Sequence, residues 1–186
     1  MTGMKTIFVG AMVLPVLWYI YRRDGKAGRR PPDRSTGTEV RVFVVAAVLF
    51  FLYYMAVSMA VNLSGLPEND AAFREAWETD PISPGLLFLW AVVLAPVLEE
   101  LMFRGGVFGL LRRWNRYLAY GLCMLLFAMY HTWQYALTDP IFWLYLLQYL
   151  PAGYILCRSY EKTECIWTAI LLPMLNNTIS LLALGG

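Results

Sequence analysis

The sequence predicts an all-α fold, a polytopic transmembrane helical bundle of about six spans. Three observations predict it. Apolar residues make up 59% of the 186 positions, well above the roughly 45–50% of soluble domains. They gather into stretches near 6–21, 41–62, 84–103, 117–137, 140–157 and 164–184, each close to the roughly 20 residues that cross a bilayer as a helix. Runs such as Val42 to Met59 lack the polar and apolar alternation of a membrane barrel strand. Helices are then the structure that satisfies its own backbone in hydrocarbon.

The first stretch follows Lys5 and ends in Tyr19-Ile20-Tyr21-Arg22-Arg23 with no small-residue cleavage site after it, which reads as a retained anchor rather than a removed signal peptide. The connector at 22–40 is basic, crowded with Arg22, Arg23, Lys26, Arg29, Arg30 and Arg34, and the positive-inside rule makes it cytoplasmic. After the second span, the connector at 63–83 is acidic, with Glu68, Asp70, Glu75, Glu78 and Asp80 against the single base Arg74. It belongs outside. Arg112, Arg113 and Arg116 follow the third span and belong inside, so both termini are expected on the extracytoplasmic side. No length remains for a soluble domain, and the chain reads as one membrane domain over 1–186. A formal net charge of +2 is no nucleic-acid surface. Cys123, Cys157 and Cys165 lie in or beside apolar segments, where free cysteine packs as a small hydrophobe.

The informative residues are the ones a membrane excludes. An ionisable side chain at mid-span costs about 2.5–3.5 kcal/mol on insertion scales and marks a functional site by default. The third span has three in Ala95-Pro96-Val97-Leu98-Glu99-Glu100-Leu101-Met102-Phe103-Arg104. Neighbouring residues project about 100° apart on a helix, so Glu99 and Glu100 face different surroundings and have different tasks. Glu100 and Arg104 are four apart, the spacing of an intrahelical ion pair, and that pair makes the helix tolerable in lipid. Glu99 has no such partner on its own helix, and burial of a lone carboxylate prepares it to take and return a proton. Pro96 removes a hydrogen bond one turn earlier and bends the helix there. Gly105 and Gly109 have the small-xxx-small spacing of close helix packing.

The single histidine, His131, lies in the fourth span at a depth comparable to Glu99. In the sixth, Asn176 and Asn177 follow Pro173. Two amides in hydrocarbon need partners: one reading is helix–helix hydrogen bonding, the other a donor to an oxyanion. One histidine and no His-Glu-x-x-His make a poor zinc set, so no metal or cofactor is expected. Ser58, Ser64 and Ser83 have no nucleophile elbow around them.

These residues resemble the CPBP family of glutamic-type intramembrane proteases, which includes the CAAX prenyl endopeptidases and bacteriocin-processing and self-immunity (Abi) proteins. The family pattern is EExxxR, FxxxH and HxxxN on three helices. Glu99-Glu100-Leu101-Met102-Phe103-Arg104, followed by Gly105, matches the first; Phe127 to His131 matches the second; Asn177 matches the end of the third, with Pro173 where the pattern has histidine. The resemblance covers about 85–182. It implies an endopeptidase that cuts a membrane protein or peptide in a bacterial cell membrane, with Glu99 and His131 activating water. Asn177 would be half of an oxyanion hole, and the donor lost at Pro173 would come from Asn176, Tyr130, a backbone group or water. The other function the same residues allow is a non-catalytic scaffold or immunity protein that holds a partner in the polar pocket.

Overall fold

The computed structural model describes residues 36–65, 84–132 and 140–185. These residues are all-helical, in five helices: α1 (Thr36–Ser64), α2 (residues 84–111), α3 (Arg116–Thr132), α4 (Pro140–Thr163) and α5 (Ile166–Gly185). The expected first span at 6–21, both charged runs of the connectors and the end of the fourth span lie outside the described residues. Two connector boundaries move, because residues 36–40 form the first turn of α1 and residues 63–64 its last. The reason is local: Glu39 suits a helix N-terminus, and Gly65, with φ of 67° and its N–H on the Asn62 carbonyl, ends the helix.

α1 has 29 residues, about 43 Å at the helical rise, and Gly37–Ser64 is long and apolar enough to cross a membrane. Ile166–Leu182 is a shorter apolar helix. Much of α1 turns large apolar side chains outward, among them Val44, Leu52, Met59 and Leu63, while Ala46 and Phe50 point into the core. An apolar surface of that size belongs against lipid or protein.

The core gathers Phe103 and Phe108 of α2, Phe127 of α3, Leu156 and Tyr160 of α4 and Leu172 of α5. α3 and α1 both pack against α4, and α5 packs on α2. Asn115 starts α3 by accepting the Leu118 N–H on its side-chain oxygen at 3.0 Å. The close approach of α3 and α4 rests on Gly153, where a Cβ would sit 3.2 Å from Met124 Cα. Backbone cannot swing aside as a side-chain tip can. Gly153→Ala should therefore push α4 off α3 and cost about 1–3 kcal/mol, the usual penalty of overpacking. Thermal unfolding in detergent micelles measures this, and an unchanged melting temperature would show that the interface has slack.

One end of the bundle is latched by ion pairs. Arg112 holds Glu164 through two hydrogen bonds of 2.7 and 2.5 Å, and Glu161 accepts from Arg116, Arg158 and Tyr120. The Arg116 hydrogen bond, ahead of the opposing effect of burial, pulls the Glu161 carboxyl down to about 2. This latch stays charged through the neutral range, and only acid releases it. It also holds Glu164 at φ 52°, the left-handed residue that ends α4.

Candidate functional site

α2 is not a uniform α-helix. Leu89–Leu94 and Leu101–Phe108 are π-helical, flanking the α-helical Ala95–Glu100, and such widened turns are frequent at functional sites. Pro96 explains a local consequence. The Ala95 N–H bonds Trp90 O, and Pro96 has no N–H to offer, so neither donor reaches the Ala91 carbonyl. Asn177 of α5 supplies one instead, its Nδ2 donating to Ala91 O at 2.8 Å. The bend expected at Pro96 is thus a widened turn closed by a neighbouring helix.

Glu100 points into the protein and meets Arg104 at 2.7 Å, both side chains fully buried. Arg104 also reaches Gly153 O at 3.4 Å and lies 4.3 Å from the Phe127 ring centroid. Cys157 of α4 and Cys123 of α3 are among its neighbours, and the Cys123 thiol donates to Phe103 O at 3.3 Å. Among the described residues Glu100 Oε2 and Arg104 Nε have no hydrogen-bond partner. The pair therefore joins α2, α3 and α4, and its members are the charged side chains among the buried residues described.

Glu99, on the adjacent face, meets His131 instead. Its Oε2 is 3.7 Å from His131 Nε2, with the side chains 17% and 23% exposed. The other ring nitrogen, Nδ1, is 2.9 Å from Phe127 O. A carbonyl only accepts, so Nδ1 carries the hydrogen, and in the neutral ring Nε2 presents its lone pair toward Glu99. The ring is packed as well as tethered: Phe127 lies 4.4 Å away at 50°, and Tyr149 stacks on it at 4.5 Å and 25°. The separation of 3.7 Å is too long for a direct hydrogen bond. It suits two groups that share a third between them.

The structure brings Glu99 and His131 together and Glu100 and Arg104 together. Tyr130 packs on Phe103 and on the His131 ring at 5.7 and 5.4 Å and lies within electrostatic reach of Glu99. Asn177 is tied to Ala91, eight residues before Glu99 in α2, with one amide hydrogen beyond that bond. Asn176 instead lines a small cavity with Phe50, Phe51 and Leu175, between α1 and α5. Pro173 is inside α5. Among the described residues no three His, Cys, Asp or Glu side chains converge as a metal set.

Sequence reasoning missed Tyr149, Gly153 and the Ala91 carbonyl. Tyr149 had no motif around it. Gly153 stood outside any small-xxx-small pair, although Pro151 beside it marked an irregular turn. The Ala91 orphan was legible in principle from Pro96, but only with the π register in hand.

Comparison with known proteins agrees with the motif reading. Residues 81–179 match the family model described as type II CAAX prenyl endopeptidase Rce1-like. The UPF0177 protein YbdI of Lactococcus lactis subsp. lactis (strain IL1403) is 27% identical over 125 residues, covering 64% of this chain and 59% of that protein. The chain thus spans about three-fifths of that relative's length. No solved structure matches.

Proposed function

The chain belongs to the Rce1-like family of type II CAAX prenyl endopeptidases, and from that premise we propose an integral-membrane endopeptidase that hydrolyses a peptide bond with a water activated by Glu99. The observation that carries this reading is the facing of Glu99 Oε2 and His131 Nε2 at 3.7 Å, with the histidine's other nitrogen tethered to Phe127 O. A water held between them gives one hydrogen to each acceptor, which leaves its oxygen lone pair directed outward. As that oxygen adds to the substrate carbonyl carbon, its proton passes to Glu99. When the C–N bond breaks, Glu99 returns the proton to the departing amine nitrogen. No acyl-enzyme forms. The oxyanion takes a hydrogen bond from the hydroxyl of Tyr130, whose ring lies beside His131, or from a backbone group or water; the Asn177 amide is engaged on Ala91 O and Asn176 lines the cavity between α1 and α5. Glu100 and Arg104 hold the helix that carries the base.

The bilayer is part of the proposal. We place all six apolar stretches across it, with the basic connector inside and the acidic one outside. The substrate is a membrane protein or peptide: a prenylated carboxyl-terminal tail is one class, and a bacterial leader peptide is another. The test is cleavage by the purified protein in proteoliposomes of one peptide from each class, with products identified by mass. Cleavage of either, with one solvent oxygen in the new carboxyl terminus and no sensitivity to chelators, is the expected result. Chelator-abolished cleavage would overturn the metal-free mechanism.

A second reading rests on Pro173, which occupies the third-motif histidine position and cannot donate a hydrogen bond. In that reading the same polar pocket holds a partner helix without cutting it, as a scaffold or immunity factor. A protein inert toward every peptide that nevertheless binds one would favour it. Loss of one oxyanion donor typically costs about 10²- to 10³-fold in rate, which slows a protease without silencing it, so the hydrolytic reading is preferred.

A further inference from the structure

We infer that Tyr149 is a positioning residue of the Glu99 and His131 site: its ring is the platform that fixes the His131 imidazole in the Nδ1–H form, with Nε2 aimed at Glu99. This rests on the hydrolytic reading but has a readout independent of it. The hydrogen bond from Nδ1 to Phe127 O is kept only while the ring holds one angle about the bond joining it to Cβ, a torsion with broad freedom. A stacked neighbour removes that freedom. Tyr149 lies 4.5 Å from the His131 ring at an interplanar angle of 25°, while Phe127 and Tyr130 meet it at 50° and 81°. Only Tyr149 among the three lies nearly parallel.

The platform is itself held. Pro151 is inside α4, where it lacks the N–H of a regular turn and disturbs the carbonyls before it. The Tyr53 hydroxyl of α1 donates to the Gln148 carbonyl, one residue from the platform. Tyr149 also meets Phe127 edge-on at 6.4 Å. So α1, α3 and α4 all bear on the orientation of one imidazole, and α2 brings the carboxylate to it. The work is assigned to the ring, since the contact is face to face, and this predicts that phenylalanine can replace tyrosine.

The chain has one histidine, so protein labelled with nitrogen-15 histidine reports this site without assignment. In detergent micelles the wild-type and Tyr149→Phe signals are expected to show the Nδ1–H form. Tyr149→Leu should show a mixture with the Nε2–H form, with helix content by circular dichroism unchanged. On a cleaved peptide, Tyr149→Leu should lose about 10- to 100-fold in kcat with KM within about twofold, because misplacement by an ångström can cost on the order of 10² in rate; Tyr149→Phe should stay within about threefold of wild type. A wild-type nitrogen spectrum in Tyr149→Leu would overturn the inference, and so would equal losses in Phe and Leu. If the wild type cleaves nothing, the hydrolytic reading fails while the nitrogen spectra still decide the role of Tyr149.

Discussion

Glu99→Gln is expected to cut turnover by about 10²- to 10⁴-fold, the range a general base contributes, while the protein folds as the wild type does. Glutamine keeps the size and one carbonyl acceptor of glutamate but cannot take a proton from water at neutral pH. The fold should survive because the ion-pair partner of Glu99 among the described residues is His131 at the long separation of 3.7 Å, and both side chains keep some exposure. KM should change little, since a water-activating group acts mainly in the transition state. Initial rates in proteoliposomes and melting in micelles check both halves. If Glu99→Gln keeps a tenth or more of the wild-type rate while Glu100→Gln folds normally and is inert, the base is Glu100 and the assignment is reversed.

The different partners of these two carboxylates were legible because helical geometry is local. Four residues separate Glu100 from Arg104, and no other information was needed to place them together. His131 beside Glu99 needed more, and the shared depth of two helices supplied it. Tertiary partners of neutral groups left no such trace. Asn177 was read either as a helix–helix bond or as an oxyanion donor; its bond to Ala91 O depends on a π register that Pro96 alone does not specify. The stacking of Tyr149 has the same character, because one aromatic residue among many in a lipid-facing chain carries no mark of which ring it meets. Helix periodicity states which face is inward. It does not state what waits there.

Glu100→Ala is expected to remove about 3–5 kcal/mol, the usual cost of breaking a buried ion pair from one side, and so to remove most of the folded protein. The magnitude follows from what Arg104 would have left. Its guanidinium is fully buried, and without Glu100 its described contacts are the Gly153 carbonyl at 3.4 Å, the neighbouring thiols, the Phe127 and Phe103 rings at 4.3 and 5.9 Å, and the more distant charge of Glu99. A desolvated cation–π contact returns about 2 kcal/mol, and a hydrogen bond to a charged group about 1.5–3 kcal/mol at good geometry, which 3.4 Å is not. The effective cost of burying an ion is several kcal/mol, so the remainder falls short. The companion variant separates charge from packing: Glu100→Leu with Arg104→Leu leaves no orphan charge and should recover much of the folded yield, as paired apolar replacement of a buried ion pair often does. Folded yield after detergent extraction and the melting temperature are the measurements. A Glu100→Ala protein with wild-type yield and melting would mean that Arg104 reaches another anion or water, and that the ion pair is not what holds α2 in place.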